Sequence, residues 1–215
     1  MAQIFHKNWN LFVLIATVKG VGFLGFAIFV FWYWFSPSYT DVGYNPDQPV
    51  PFSHKLHAGE LGMDCRYCHN TVEDAAHAAI PPTETCMNCH KAVKTDSIAL
   101  EPVRNSYSND VPVEWVRVHM LPDYAYFDHS VHVAAGVGCA TCHGRVDQMI
   151  KVAQAEPLSM GWCLECHRNP EPNLRPKNKV TDMTWDSALA GYNPHKDPLR
   201  KRELAPPQHC SGCHR

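Results

Sequence analysis

The chain has 215 residues, 45% of them hydrophobic and 19% charged, with 10 Cys, 14 His, 17 Pro and a formal net charge of −2. That length holds one or two domains, the charge balance offers no basic face for a nucleic acid, and the hydrophobic share is too high for a disordered chain. Every Pro lies at or beyond Pro37 and every acidic residue beyond Thr40, so an apolar head precedes a polar, Pro-rich body that lacks long apolar periodic runs.

From Leu11 to Phe35 the chain runs 25 residues with Lys19 as the one formal charge. A helix of that length crosses a bilayer core of about 30 Å with some tilt. Trp9 at one end, and Trp32, Tyr33 and Trp34 at the other, stand where an interfacial aromatic belt belongs. Pro37 then stops the helix. A cleaved signal peptide would carry an apolar region of about 7–15 residues ending in small side chains; this run is longer and ends in bulky aromatics. Residues 1–36 are therefore expected to be a retained transmembrane anchor. Lys19 either reaches the headgroups or faces an acidic group or carbonyl of a partner helix. Ala16 and Gly20, with Gly22 and Gly25, offer a close-approach surface to such a helix. Residues 37–51, with Pro37, Pro46, Pro49 and Pro51, read as a stiff linker.

All ten cysteines fall in five C-x-x-C pairs, each followed at once by histidine. They are Cys65, Cys68 and His69; Cys86, Cys89 and His90; Cys139, Cys142 and His143; Cys163, Cys166 and His167; and Cys210, Cys213 and His214. C-x-x-C-H is the attachment signature of c-type haem. Two thiols three positions apart reach the two vinyl groups on one porphyrin edge, and the next imidazole falls beneath the iron as its proximal ligand. Zinc sites also use C-x-x-C but have no need of His at the next position every time. Disulfides would leave five histidines without a role. Five covalently bound haem c groups are expected, filling much of the apolar interior and close enough to one another to conduct. The fold class expected is mostly irregular and α: one N-terminal transmembrane helix, then a loop-rich multihaem cytochrome c domain. Bacterial haem c is attached outside the cytoplasm. A single pass in the inner (cytoplasmic) membrane, with the haem domain on the periplasmic side, follows.

Four of the remaining histidines recur in register. Phe52, His54 and His57 precede Cys65 in an F-x-H-x-x-H pattern, and Phe127, His129 and His132 precede Cys139 in the same pattern. Each copy runs on through a Pro, Pro82 or Pro157, to a second haem motif, and Val72-Glu73 matches Val146-Asp147. This divides the body into a first two-haem module, 52–94, a linker, 95–126, and a second module carrying the fifth haem, 127–215. Histidines at i and i+3 on one helical turn point to nearly the same side and serve two adjacent irons.

The arrangement resembles the small multihaem cytochromes of the three- and four-haem class. That resemblance implies His54 opposite His69, His57 opposite His90, His129 opposite His143 and His132 opposite His167. In the three-haem class the remaining ligand comes from between the two preceding motifs. Here that stretch, 144–162, holds no His but does hold Met149 and Met160, and a thioether is a legitimate haem ligand. For the iron of His214, Met149, His119 and His77 compete, with Met160, His195, His209 and an absent ligand behind them. His6 and His209 otherwise read as structural or surface residues, and Trp115, Trp162 and Trp185 as haem-packing ones.

With its anchor, the chain resembles the membrane-anchored pentahaem cytochrome c of bacterial alternative complex III, related to the cytochrome subunit of quinone reductase complexes. The likeness covers nearly the whole chain, including Val118 to Phe127 and Pro157 to Trp162. It implies an electron-transfer subunit of a quinol-oxidising respiratory complex, not itself catalytic. Its partners would be an integral-membrane quinol-binding subunit, an iron–sulfur subunit and a monohaem cytochrome, with a periplasmic carrier or terminal oxidase as acceptor. The alternative is a membrane-anchored quinol dehydrogenase cytochrome feeding a periplasmic reductase, which needs a haem at the membrane surface. A catalytic multihaem reductase needs an open iron, often with C-x-x-C-K, and all five motifs here end in His.

Overall fold

The computed structural model describes residues 4–198 and 204–214. The chain forms two compact units, Met1–Asp41 and Val42–Arg215. In the first, α1 (Trp9–Trp34) has 26 residues, about 39 Å of helix at 1.5 Å per residue. It is the one helix among the described residues long and apolar enough to cross a membrane, and none of it is buried within the protein. Thr17 returns its hydroxyl proton to the Val13 carbonyl at 2.9 Å, so its polar group is satisfied within the helix. α1 ends three residues before Pro37, which starts a separate turn, α2 (Pro37–Thr40), at the first position where its missing N–H costs nothing. Tyr33 and Trp34 pack edge to face at 5.2 Å, and Tyr39 joins Trp34 at 6.2 Å.

The second unit is helical and irregular, with no strand among the described residues beyond two isolated antiparallel bridges, Ala125 to His214 and Val137 to Leu174. Its helices are α3 (Cys65–Cys68), α4 (Thr83–His90), α5 (Glu101–Asn109), α6 (His129–Ala135), α7 (Cys139–His143) and α8 (Met160–Arg168). Each is short because the sequence starts and stops it deliberately. Asp64, Asp128 and Ser159 cap α3, α6 and α8 by accepting backbone N–H bonds from Arg66, Ser130 and Trp162. Gly136, at φ 85°, ends α6 in the left-handed conformation that glycine adopts without steric cost.

The hydrophobic core of polypeptide is small. Among the described residues only Val50, Val103, Val118, Leu174 and Val180 are buried hydrophobics, while Leu56, Tyr67, Ile80, Met120, Tyr124 and Met160 stay exposed. Backbone ties take over part of the work. The Gln48 side chain both donates to and accepts from the Val116 backbone, at 2.8 and 2.9 Å, and Gln154 bonds Gly43 and Tyr44. Residues 95–126 are not a bare connector: α5 packs on α4, burying Val103 and Ser106, whose hydroxyl meets that of Thr83 at 2.8 Å.

The two copies of the repeat brace each other. The π-helical turn Lys55–Glu60 of the first packs on the Val146–Gln148 turn of the second, and Lys55 N–H donates to the Met149 carbonyl at 2.9 Å. Reciprocally, His129 N–H of the second copy donates to the Ala76 carbonyl of the first at 3.1 Å. Gly59 allows this closeness, since a Cβ there would strike the Asp147 carbonyl.

Candidate haem-binding sites

Each C-x-x-C-H motif lies on a helical turn: α3, the end of α4, α7, α8 and the 3₁₀ turn Cys210–Gly212. One turn brings cysteines at i and i+3 to the same face. None of the ten is paired in a disulfide. Among the described residues no three His, Cys, Asp or Glu side chains gather as a metal-ion site, whereas a structural zinc site needs four ligands together.

The histidines are arranged in facing pairs. His54 and His69 stand with ring centroids 6.5 Å apart and planes 3° from parallel; His129 and His143 stand at 6.3 Å and 9°. His57 faces His90 at 6.2 Å, crossed by 64°, and His132 faces His167 at 6.1 Å and 37°. Two imidazoles on opposite sides of one metal, each bonded at about 2.0–2.1 Å with the nitrogen roughly 1.1 Å from its ring centre, lie about 6.3 Å apart. The four separations fit one iron per pair.

The other ring nitrogens fit as well. Nδ1 of His57, His69, His90, His129, His132 and His167 faces the carbonyls of Ser53, Ala79, Val93, Ala76, Asp128 and Pro207, at 2.7 to 3.1 Å. Such bonds fix the tautomer with its proton on Nδ1 and leave Nε2 for a metal. His214 repeats the arrangement with the Tyr124 carbonyl at 3.1 Å. Phe52 and Phe127 orient the outer ligands in the same way in both copies. Each stacks on the second His of its pattern (4.4 and 4.5 Å) and meets the first edge-on (4.8 and 4.7 Å).

Desolvation pushes the pKa of His143 down to about 3 and that of His54 to about 4, with neighbouring imidazoles adding to both. These rings are therefore neutral at physiological pH, the form that binds metal. The thiols of Cys65 and Cys139 lie against each other across the two copies, and their mutual influence lowers the pKa of Cys65 and raises that of Cys139. Desolvation, then the nearby Cys86, raises Cys68; desolvation, then Cys166 and Cys163, raises Cys142 to about 12; desolvation, then Cys213, raises Cys163. Neighbouring thiols thus string the motifs in the order of Cys86, Cys65, Cys139, Cys163 and Cys210.

The residues considered for the iron of His214 are placed as follows. Met149 lies in the seam between copies, its methyl beside Gly144, rather than among the residues that hold His214. The ring beside His214 is Tyr124, at 5.8 Å. His119 stands against His143 at 4.5 Å, crossed by 81°, with its Nε2 buried and without a hydrogen-bond partner. The loop that carries His119 is nonetheless tied to the fifth motif, through Tyr124 and through Tyr126 N–H to the Cys213 carbonyl at 2.8 Å. His77 and His209 are exposed, as is Met160, and His195 pairs with Glu171 at 2.8 Å. Trp162 joins Cys166, Thr141 and Asn173 in lining a cavity of about 360 Å³ at the fourth motif. Trp185 buries an indole N–H without a partner, and Trp115 is half-buried.

One further residue carries weight that its place in a Pro-rich stretch conceals. Arg175 is buried beside Cys139, donates to the Asp182 carbonyl at 2.7 Å, and packs its guanidinium where a Cβ on Gly138 would fall. Only its burial reveals it.

The family described as cytochrome c7 and related cytochrome c matches residues 50–106 and 125–215, one segment over each copy of the repeat. The multihaem cytochrome c subunit of menaquinone reductase from Nitratidesulfovibrio vulgaris strain Hildenborough is 32% identical over 124 residues, covering 56% of this chain and 57% of that protein. The chain thus spans little more than half the length of that relative. With well over half of its residues inside the family match, and with the imidazole pairs and thiols set to receive covalent haem, the chain belongs to the cytochrome c7 and related cytochrome c family: it is a multihaem cytochrome c of electron transfer.

Proposed function

We propose that the chain is a pentahaem conduit, anchored by α1 with its haem domain on the periplasmic side, in a quinol-oxidising respiratory complex of the alternative complex III kind. The observation that carries this reading is the set of four imidazole pairs at 6.1 to 6.5 Å, with six of the eight rings backed by a carbonyl. An iron with two histidine ligands has no open position for substrate, so it conducts. The relative's printed name, a menaquinone reductase subunit, supports a quinone-linked setting.

When bound, each haem c supplies a one-electron Fe(III)/Fe(II) couple. The protein's part is to hold and insulate it. Cys65 and Cys68, Cys86 and Cys89, Cys139 and Cys142, Cys163 and Cys166, and Cys210 and Cys213 attach the five macrocycles. His69, His90, His143, His167 and His214 are the proximal ligands, and His54, His57, His129 and His132 the opposite ones for the first four. His119 is the ligand we assign to the fifth, because its buried Nε2 is unsatisfied and its loop is bound to that motif. The partners are an integral-membrane quinol-binding subunit, an iron–sulfur subunit and a monohaem cytochrome.

Purification in mild detergent tests this. The reading expects five haem increments by mass spectrometry of the denatured chain, and co-migration with a polytopic subunit and an iron–sulfur subunit. Fewer than five macrocycles, or quinol oxidation by the isolated chain, overturns it.

A further inference from the structure

The four facing pairs differ in a way that follows their position. The bonds from Lys55 N–H to the Met149 carbonyl and from His129 N–H to the Ala76 carbonyl join the two copies, with Cys65 beside Cys139, and so put the pairs His54/His69 and His129/His143 together at the seam. His143 is near enough to feel both His69 and His54. Outward from the seam, Cys68 neighbours Cys86 and Cys142 neighbours Cys163, so His57/His90 and His132/His167 flank it on either side.

In the flanking pairs both imidazoles are backed by a carbonyl. His57 and His90 use Ser53 and Val93, at 2.9 and 3.1 Å, and His132 and His167 use Asp128 and Pro207, both at 2.7 Å. In the seam pairs only one of two is backed: His69 by Ala79 at 2.9 Å, and His129 by Ala76 at 2.8 Å. Nδ1 of His54 is buried without a partner, and the ring that meets His143 is that of His119, edge-on at 4.5 Å and 81°. The Phe52 and Phe127 contacts are nearly identical in the two copies, so they do not explain the difference.

A carbonyl on Nδ1–H makes the imidazole a stronger donor and favours the ferric state. At the seam, His54 and His143 lack the carbonyl partner that all four flanking imidazoles have, so these irons are held less firmly in the ferric state. We propose that the ligand pairs His54/His69 and His129/His143 hold their haems at higher reduction potential than His57/His90 and His132/His167 do theirs. The proposal rests on the ligand pairs assigned above.

The ring planes supply the readout. Near-parallel imidazoles (3° and 9°) give a rhombic low-spin ferric spectrum, and imidazoles crossed by 64° give a strongly anisotropic one, with 37° between. The experiment is a potentiometric titration of the full-length, haem-loaded protein followed by electron paramagnetic resonance, each iron taking one electron from the mediators. The rhombic signals are expected to be lost first as the potential is lowered, while the anisotropic signal persists. Loss of both together, or in reverse order, overturns the proposal alone. A spectrum with no bis-imidazole signals overturns the ligand assignment and the proposal with it.

Discussion

Replacing Gly138 by Ala places a methyl against the Arg175 guanidinium. Arg175 has little room to yield: it is 7% exposed, and its Nη1 is held by the Asp182 carbonyl at 2.7 Å. Overpacking of a filled site costs about 1–3 kcal/mol, and losing a hydrogen bond from a buried charged group costs about 1.5–3 kcal/mol. The two costs overlap, because moving the guanidinium relieves the clash while breaking the bond. A loss of roughly 2–5 kcal/mol follows, a large share of the 5–15 kcal/mol by which a domain is stable. Guanidinium unfolding of the haem-loaded protein, followed by Soret absorbance and far-ultraviolet circular dichroism, measures it. A double-mutant cycle isolates the cause: in an Arg175→Ala background Gly138→Ala becomes nearly neutral. An unchanged midpoint for Gly138→Ala, or an equal loss in both backgrounds, refutes the reasoning.

His119→Ala opens the fifth iron, so the reduced protein gains a carbon monoxide adduct on one haem in five where the parent has none; difference spectroscopy reads it, and an unchanged response removes His119 from that role. Hydrogen bonding to Arg66, offset in part by burial, holds Asp64 at about 2 against an ordinary 3.8. The folded-state pKa is depressed, so this contribution is complete above the ordinary value and fades as the pH falls through about 2. With the side chain 43% exposed, it amounts to less than about 1 kcal/mol; the stability gap between the parent and Asp64→Asn therefore closes at the acid end, and a gap that widens there counts against it. Deletion of residues 1–41, a unit of its own, yields a haem domain that stays in solution without detergent and keeps the parent's absorption spectrum; a shifted spectrum or an insoluble product contradicts that division.

Much of this was legible in the residues because c-type haem chemistry is local. Cysteines at i and i+3 with the next histidine define a site within five positions, and the recurrence of Phe52, His54 and His57 as Phe127, His129 and His132 shows the duplication. What escaped detection depends on backbone. The carbonyls of Ala76, Ala79, Val93, Pro207 and Tyr124 that hold the imidazoles carry no side-chain signature, and the chain's path alone brings them there. Spacing pointed to Met149, yet its carbonyl receives the Lys55 N–H and fixes it in the seam. α5 hid in an apparent linker, although Leu100, Val103 and Tyr107 follow one another at steps of three and four; Pro102 stands in its first turn and Val103 is buried where it packs on α4. Arg175 was invisible because its burial depends on the absence of a side chain at Gly138, which no single position reveals.

The reciprocal bracing of the two copies, Lys55 on Met149 and His129 on Ala76, sets the four paired stations in mirrored order about the seam, near-parallel rings inside and crossed rings outside. A palindrome has no preferred sense of travel. What breaks that symmetry is the Cys210 motif, which has no counterpart in the first copy.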